Sequence, residues 1–268
     1  MTARSDRPIA VVLAAGKGTR MASDLPKVLH DAAGKPLVRW VLDALAAAGI
    51  SDRIVVVGYR ADLVEQALAG IPGVAFATQH EQRGTGDAVA AAIPLIRERI
   101  TGDPPHTRRP VVVVCGDSPM LRPASVTGLL DAFTARAAAC LLGTAVTADP
   151  TGLGRIIRDD HGRFLGIVEH RDATAEQRTI REVNMSTYVF DARGLLRALD
   201  RLTPDNAAGE YYITDCPGIL RHEGHVVEAV ACLDPSETLS VNTPEQLAAV
   251  AAALKNGTPA AKVMPCTT

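Results

Sequence analysis

The residues best suited to chemistry stand near the amino terminus. They are Leu13-Ala14-Ala15-Gly16-Lys17-Gly18-Thr19-Arg20-Met21, followed at once by Leu25-Pro26-Lys27. A glycine-bearing loop with a Lys and an Arg beside it is suited to phosphate. Glycine lets the backbone come close and turn N–H groups inward. Arg20 offers a forked guanidinium and Lys27 a point charge. The spacing fits neither G-x-x-x-x-G-K-[ST] nor G-x-G-x-x-G, so the two common phosphate fingerprints are excluded. The plainer alternative is a strand-to-helix turn that carries two surface cations.

Further candidates lie downstream. Asp117 follows the apolar run Val111-Val112-Val113-Val114-Cys115-Gly116. A carboxylate at the end of a buried strand needs a cation. Beside a phosphate loop the natural one is Mg²⁺, which takes a few carboxylates together with phosphate oxygens and water. The competing reading is a turn or capping Asp before Ser118-Pro119. In Thr78–Gly86, the amides of Gln79 and Gln82 and the backbone around Gly84 and Thr85 can match a base edge. Gly154, Glu169 and Asn184 suit sugar hydroxyls, against a bland reading of surface polarity and a turn glycine. Asn242 either caps the last helix or lends a neutral oxygen to the metal. The seven histidines have no metal-ligand spacing, and no G-x-S-x-G nucleophile elbow occurs.

These residues must be held by a scaffold, and the first half of the chain supplies one. Strand-like Ile9–Leu13, Ile54–Val57, Val74–Thr78 and Val111–Cys115 alternate with helical patterns over Pro36–Ala48, Ala61–Ala69, Thr85–Arg99 and Ala124–Arg136. That rhythm predicts an α/β fold with a Rossmann-like, doubly wound, mostly parallel sheet, whose ligands sit beyond the carboxyl ends of the strands. In the second half, Arg155–Arg158 and Phe164–Glu169 flank the turn Asp159-Asp160-His161-Gly162, and Val183–Phe190 reads as a further strand. We expect these to form a mixed, sugar-binding extension. A helix over Glu210–Glu223, a strand over Val226–Val230 and a helix over Pro244–Leu254 follow. The loop Thr101–Pro110 reads as an exposed insertion. The expected organisation is one domain over residues 1–255, with a nucleotide half (about 8–145), a sugar half (about 146–255) and a flexible tail (256–268).

Bulk properties limit the partners. With 28 basic and 30 acidic residues among 268, the net charge of −2 gives no field for nucleic acid or membrane. At 3% aromatic, the chain lacks base-stacking platforms. Five widely spaced cysteines without a C-x-x-C pair predict free thiols in a reducing cytoplasm. The run Ile9–Ala15 is too short to span a bilayer, and no secretory signal is expected.

Taken together, Leu13–His30, Gln82–Gly86, Gly116–Pro119 and Asp149–Arg155 resemble the sugar-1-phosphate nucleotidyltransferases. Val168–Thr174, Glu182–Asn184, Asn206–Asp215 and Val241-Asn242 are similar to the uridyltransferase half of the bacterial bifunctional N-acetylglucosamine-1-phosphate uridyltransferase/glucosamine-1-phosphate acetyltransferases. The likeness runs from about Ile9 to Leu254. It implies transfer of UMP from UTP to N-acetylglucosamine 1-phosphate, with nucleotide contacts from Leu13, Ala14, Ala15, Gly16, Gln79, Gln82, Gly84 and Thr85. It further implies phosphate contacts from Arg20 and Lys27, magnesium ligation by Asp117 and Asn242, and sugar contacts from Gly154, Glu169 and Asn184. Departures from that family's pattern fall at Cys115 (usually aromatic), Met185-Ser186 (usually Thr-Gly), Thr238 and Ser240. No acetyltransferase part is expected in this chain, so the acetyl-transfer step would belong to a separate protein. The alternatives are another sugar 1-phosphate, such as glucose 1-phosphate, or a catalytically silent nucleotide-sugar sensor.

Overall fold

The computed structural model describes residues 7–256. The expected tail, apart from Asn256, and Cys266 lie outside the described residues. Strand β1 (Ile9–Leu13) leads through the candidate phosphate loop to a short hairpin, β2 (Asp31–Ala32) and β3 (Lys35–Pro36), and then to helix α1 (Leu37–Ala47). Next come β4 (Asp52–Val57), α2 (Ala61–Leu68), β5 (Val74–Thr78), α3 (Thr85–Ala91), α4 (Ile93–Arg99), β6 (Pro110–Cys115) and α5 (Pro123–Ala135). The second half contributes β7 (Cys140–Val146), β8 (Arg155–Arg158), β9 (Phe164–Val168), β10 (Glu182–Asp191) and α6 (Ala192–Leu199). It closes with α7 (Cys216–His222), β11 (Val227–Val230) and α8 (Pro244–Lys255).

The main sheet runs β11-β7-β10-β6-β1-β4-β5, with β8 and β9 attached at β10. Strands β5, β4, β1 and β6 are mutually parallel, and β10 is antiparallel to both β6 and β7. Because β11 is parallel to β7, six strands share one direction and β10 alone is reversed among them. The carboxyl ends of the six therefore lie on one rim, and the start of β10 joins them there.

The β-branched runs are buried on both faces, as strands covered by helices on each side must be. Ala10, Val12, Val55, Val57, Val112 and Val114 pack toward α1, α2 and α5, with Leu42, Val64 and Phe133 opposite. Their alternates Ile9, Val11, Ile54, Val56, Val111 and Val113 pack toward α3, α4, α6 and α7, with Val89, Ile96, Leu195 and Leu220. Met21, Leu37, Met120, Val241 and Val250 make a third cluster that seats α8 beside the phosphate loop.

Several elements differ from expectation. The predicted helix Thr85–Arg99 is two helices that meet at Ala92, because Pro94 cannot donate to Ala90 and crowds that carbonyl. The helix expected from Glu210 begins only at Cys216. Glu210–Tyr212 is instead extended, and Tyr211 exchanges backbone hydrogen bonds with the Arg83–Gly86 loop. The second-half strands do extend the sheet in mixed fashion, with β10 pairing antiparallel to β6 and carrying β8 and β9. Strand β7 and helix α6 were not foreseen. Nor is Thr101–Pro110 exposed throughout. Arg109 and Asp103 form a buried ion pair at 3.6 Å, and Ala192 N donates to Arg109 O at 2.9 Å.

Candidate active site

The first parallel strands deliver their loops to a common cavity. Leu13 O accepts from Gly116 N (2.8 Å) and Ala14 N donates to Val56 O (2.8 Å), which pins the start of the phosphate loop between β4 and β6. A cavity of about 300 Å³ opens there, lined by Leu13, Ala14, Ala15, Gly16, Gln79, Gln82, Gly84 and Thr85. All eight residues expected to touch a nucleotide thus share one wall. Lys27, Asp117, Cys115, Val28, Ala88 and Glu210 complete it.

Details of this wall differ from the sequence reading. Gly18 is the conformationally required glycine, at φ +67° with Lys27 Cβ only 2.6 Å from where its own Cβ would stand. A Cβ at Gly16 would meet nothing within 4 Å, so that glycine leaves room for a ligand rather than relieving the fold. The amide nitrogen of Gln79 already donates to Gly84 O (3.1 Å) and Asp87 Oδ2 (2.8 Å), and that of Gln82 to Ala15 O (3.1 Å). Both amides therefore shape the loops as well as face the cavity.

At the mouth, four charged or polar side chains converge from distant parts of the chain. Lys27 Nζ forms an ion pair with Asp117 Oδ2 and donates to Asn242 Oδ1 at 2.9 Å. Arg20 donates to the same Asn242 oxygen at 3.0 Å. Asp117 is not a helix cap, because Arg122 occupies the cap of α5. Asn242 is not one either. Thr243 caps α8, its hydroxyl accepting from Gln246 N, and this releases the Asn242 side chain toward Lys27. Asp117 and Asn242 present hard oxygens to one cationic point, as a magnesium site requires. Among the described residues no three His, Cys, Asp or Glu side chains cluster as a self-sufficient metal site.

A second cavity of about 130 Å³ shares Asp117 and Cys115 with the first, and continues to Asn184, Met185, Ser186, Leu153 and Ser240. Burial, then the charge of Asp117, pushes the Cys115 thiol up to about 12, so it lies between the cavities as a neutral group. Of the three expected sugar residues, Asn184 lines this cavity, whereas Gly154 and Glu169 line neither cavity and lie beside Asn184. Asn184 N donates to Gly154 O at 2.9 Å, and Asn184 Nδ2 to Tyr188 Oη at 2.7 Å. Glu169 Oε1 stands 3.5 Å from where a Gly154 side chain would begin, and Ile167 only 3.0 Å. Burial raises the Glu169 carboxyl above its ordinary pKa. A hydrogen bond from Thr214 opposes this and the charges of Asp172 and Asp215 add to it. Beyond Asn184, β10 bulges against β7 at Met185-Ser186, with Ser186 at φ +50°.

Glu210 was missed as a site residue. It reaches the nucleotide cavity because Tyr211 N donates to Arg83 O (2.8 Å), Gly86 N to Tyr211 O (2.7 Å) and Ile213 N to Thr85 Oγ1 (3.1 Å). The glycines at 84 and 86 are its only sequence signal. A side chain at either would strike Tyr211, at 2.5 Å and 3.0 Å from its carbonyl oxygen. A larger cleft of about 760 Å³, lined by Arg158, Arg163, Arg221 and His225 along β11, holds none of the predicted site residues.

Comparison with known proteins agrees with this geometry. Residues 10–213 match the MobA-like NTP transferase domain. The chain is 45% identical over 247 residues to the bifunctional protein GlmU of Heliobacterium modesticaldum, covering 92% of this chain and 52% of that one. It is 45% identical over 249 residues to GlmU of Thermobifida fusca, covering 91% and 50%. It thus spans about half the length of the curated relatives it matches. A Bacillus anthracis crystal structure described as a glucose-1-phosphate thymidylyltransferase, in complex with a sucrose, shares the fold. Its TM-score is 0.73 at 17% identity, over 93% of this chain and 96% of that one. With most of its length matched by that domain, the chain belongs to the MobA-like NTP transferase family and is similar to one half of the GlmU proteins.

Proposed function

We propose that this nucleotidyltransferase transfers UMP from UTP to N-acetylglucosamine 1-phosphate, giving UDP-N-acetylglucosamine and pyrophosphate. The observation that carries the reading is the pair of cavities joined at Asp117, with Lys27, Arg20 and Asn242 at the junction. Two anionic substrates placed in the two cavities would bring their phosphates to that point. On this reading residues 1–255 act as one domain, with a nucleotide half and a sugar half.

The chemistry asks little of the protein beyond placement. A sugar phosphate has a second pKa of about 6 and is largely dianionic near neutrality. Its oxygen attacks the α-phosphorus of UTP, a new phosphoanhydride bond forms, and pyrophosphate leaves on the opposite side. No general base is needed, which accords with a site that has cations and backbone amides but no catalytic histidine. Lys27 and Arg20 counter the repulsion between the two anions, and the cavity walls hold them in line. Asp117 and Asn242 would hold Mg²⁺, which when bound offsets phosphate charge and polarises the reacting group. Main-chain groups of Ala14–Gly16 and the Gln79–Thr85 loop would bind the uridine, and Gly154, Glu169 and Asn184 the acetylated sugar. The substrate implies a separate acetyl-transfer step, and the thiols of Cys115, Cys140 and Cys216 fit a cytoplasmic setting. Among the described residues no helix is long and apolar enough to cross a membrane.

Steady-state kinetics over UTP, CTP, dTTP and ATP, with three sugar phosphates, tests the proposal. N-acetylglucosamine 1-phosphate should exceed glucosamine 1-phosphate and glucose 1-phosphate in kcat/KM by at least about tenfold, about 1.4 kcal/mol. Equal efficiencies, or preference for glucose 1-phosphate, would reject the sugar assignment. Cys115 and the Met185-Ser186 bulge favour the second reading, another sugar 1-phosphate, because both line the second cavity.

A further inference from the structure

Arg155 is the largest fully buried side chain among the described residues, only 1% exposed. Among those residues no carboxylate accepts from it. Its guanidinium donates to Leu153 O, meets His170 Nδ1 at 3.3 Å, and donates to Arg178 O at 3.4 Å, while Nε has no partner. Burial, then the charge of Arg178, lowers its pKa, and Asp149 opposes this. A buried cation without a counter-ion is costly, and an apolar side chain would fill the same space without that cost.

The strand register shows what the cation accomplishes. Arg155 pairs with Val168 of β9 and with Val183 of β10. The next position along the three antiparallel strands is therefore one rung made of Gly154, Glu169 and Asn184. Side chains alternate between faces, so the rung residues share one face and Arg155 occupies the other. From there its guanidinium passes beneath the rung to Leu153 and His170, the residues just beyond Gly154 and Glu169. Its third contact ties down the Arg178 segment. One planar fork thus meets the Leu153 carbonyl and the His170 ring, one residue beyond the rung on each of two chain segments.

We propose that Arg155 is the positioning residue of the sugar subsite, holding Gly154 and Glu169 in register through Leu153 and His170. This rests on the assignment of those residues to the sugar made above. The test uses Arg155→Met, Arg155→Lys and His170→Ala, with melting temperature, UTP affinity by calorimetry without sugar phosphate, and KM for N-acetylglucosamine 1-phosphate at saturating UTP. Arg155→Met should raise the sugar-phosphate KM at least tenfold and leave UTP affinity within twofold. Arg155→Met should hold its melting temperature, and Arg155→Lys, which keeps the charge, should also show the raised KM, since an ammonium lacks the planar fork. His170→Ala should raise the KM about threefold. If Arg155→Met does not fold, the other two variants decide by the same readouts. An unchanged KM in the folded variants, or parallel weakening of UTP and sugar phosphate, would overturn the proposal. A wild type that prefers glucose 1-phosphate rejects only the sugar's identity, and the same ratios are then measured with that substrate.

Discussion

At Asp117 a carboxylate follows the valine-rich strand β6, and the fold meets it with Lys27 while Asn242 and Arg20 gather on the same point. Asp117→Asn keeps the shape and removes the charge. Its kcat should fall at least about 10²-fold with the melting temperature nearly unchanged, and activity near wild type would exclude Asp117 from the chemistry. Lys27→Ala should lose both kcat and UTP affinity, and Arg20→Ala mainly kcat, each by about 2–4 kcal/mol or 10²–10³ in rate. A variant within threefold of wild type carries only a surface cation. Glu169 gives a pH signature. Below its ordinary pKa of 4.5 the carboxyl is neutral in folded and unfolded chains alike. As pH rises through that value the unfolded chain ionises first, so stability is lost until the raised folded pKa is passed. Glu169→Gln should therefore melt above wild type at pH 7.5, with the gap closing below pH 4.5. A gap independent of pH would contradict this. The sequence made most of these side chains legible, because a charge at the end of an apolar run has few places to go. It could not decide whether Asn242 or Thr243 caps α8, which depends on a hydroxyl facing Gln246 N.

The elements show where sequence patterns stop being sufficient. Period and burial made β1, β5 and β8 legible because their apolar runs are bounded by sharp turns. Strand β7 was hidden by Gly143, where an added Cβ would come within 3 Å of Leu129 and Leu233, so that the glycine is a seat for close packing. Helix α6 begins at an Asp191 cap, its side chain accepting from Gly194 N at 2.9 Å, in a stretch where Gly194 weakens the helical pattern. The segment Glu210–Tyr212 looked helical because its partner, the Arg83–Gly86 loop, lies more than a hundred residues earlier. That ladder makes a contrast between two glycines. Gly84 is at φ +114° with Tyr211 O 2.5 Å from where its Cβ would stand, so Gly84→Ala should cost about 1–3 kcal/mol of stability and weaken UTP binding. Gly16→Ala should retain the melting temperature and raise only the UTP KM. Calorimetry and kinetics on the two variants check this. Equal melting losses would mean that Gly16 also has a structural role.

Over the whole molecule, one reversed strand explains how residues from early and late in the chain reach one rim of the sheet. The parallel strands bring the phosphate loop, the Gln79–Thr85 loop and Asp117 to one rim, and β10, running the other way, starts at that rim with Asn184. A Rossmann-like sheet was legible from the alternation of elements. The insertion of β10 between β6 and β7 was not, because a strand's order in a sheet depends on contacts that no local pattern records. In the proposed reaction a sugar phosphate in one cavity attacks the α-phosphorus of UTP in the other. The most direct measurement supplies UTP and N-acetylglucosamine 1-phosphate whose terminal phosphoryl oxygens carry ¹⁸O, and follows the products by mass spectrometry. UDP-N-acetylglucosamine retaining all of the label, formed in equal amount with unlabelled pyrophosphate, is the predicted result. Label in the pyrophosphate, or no nucleotide sugar at all, would contradict it.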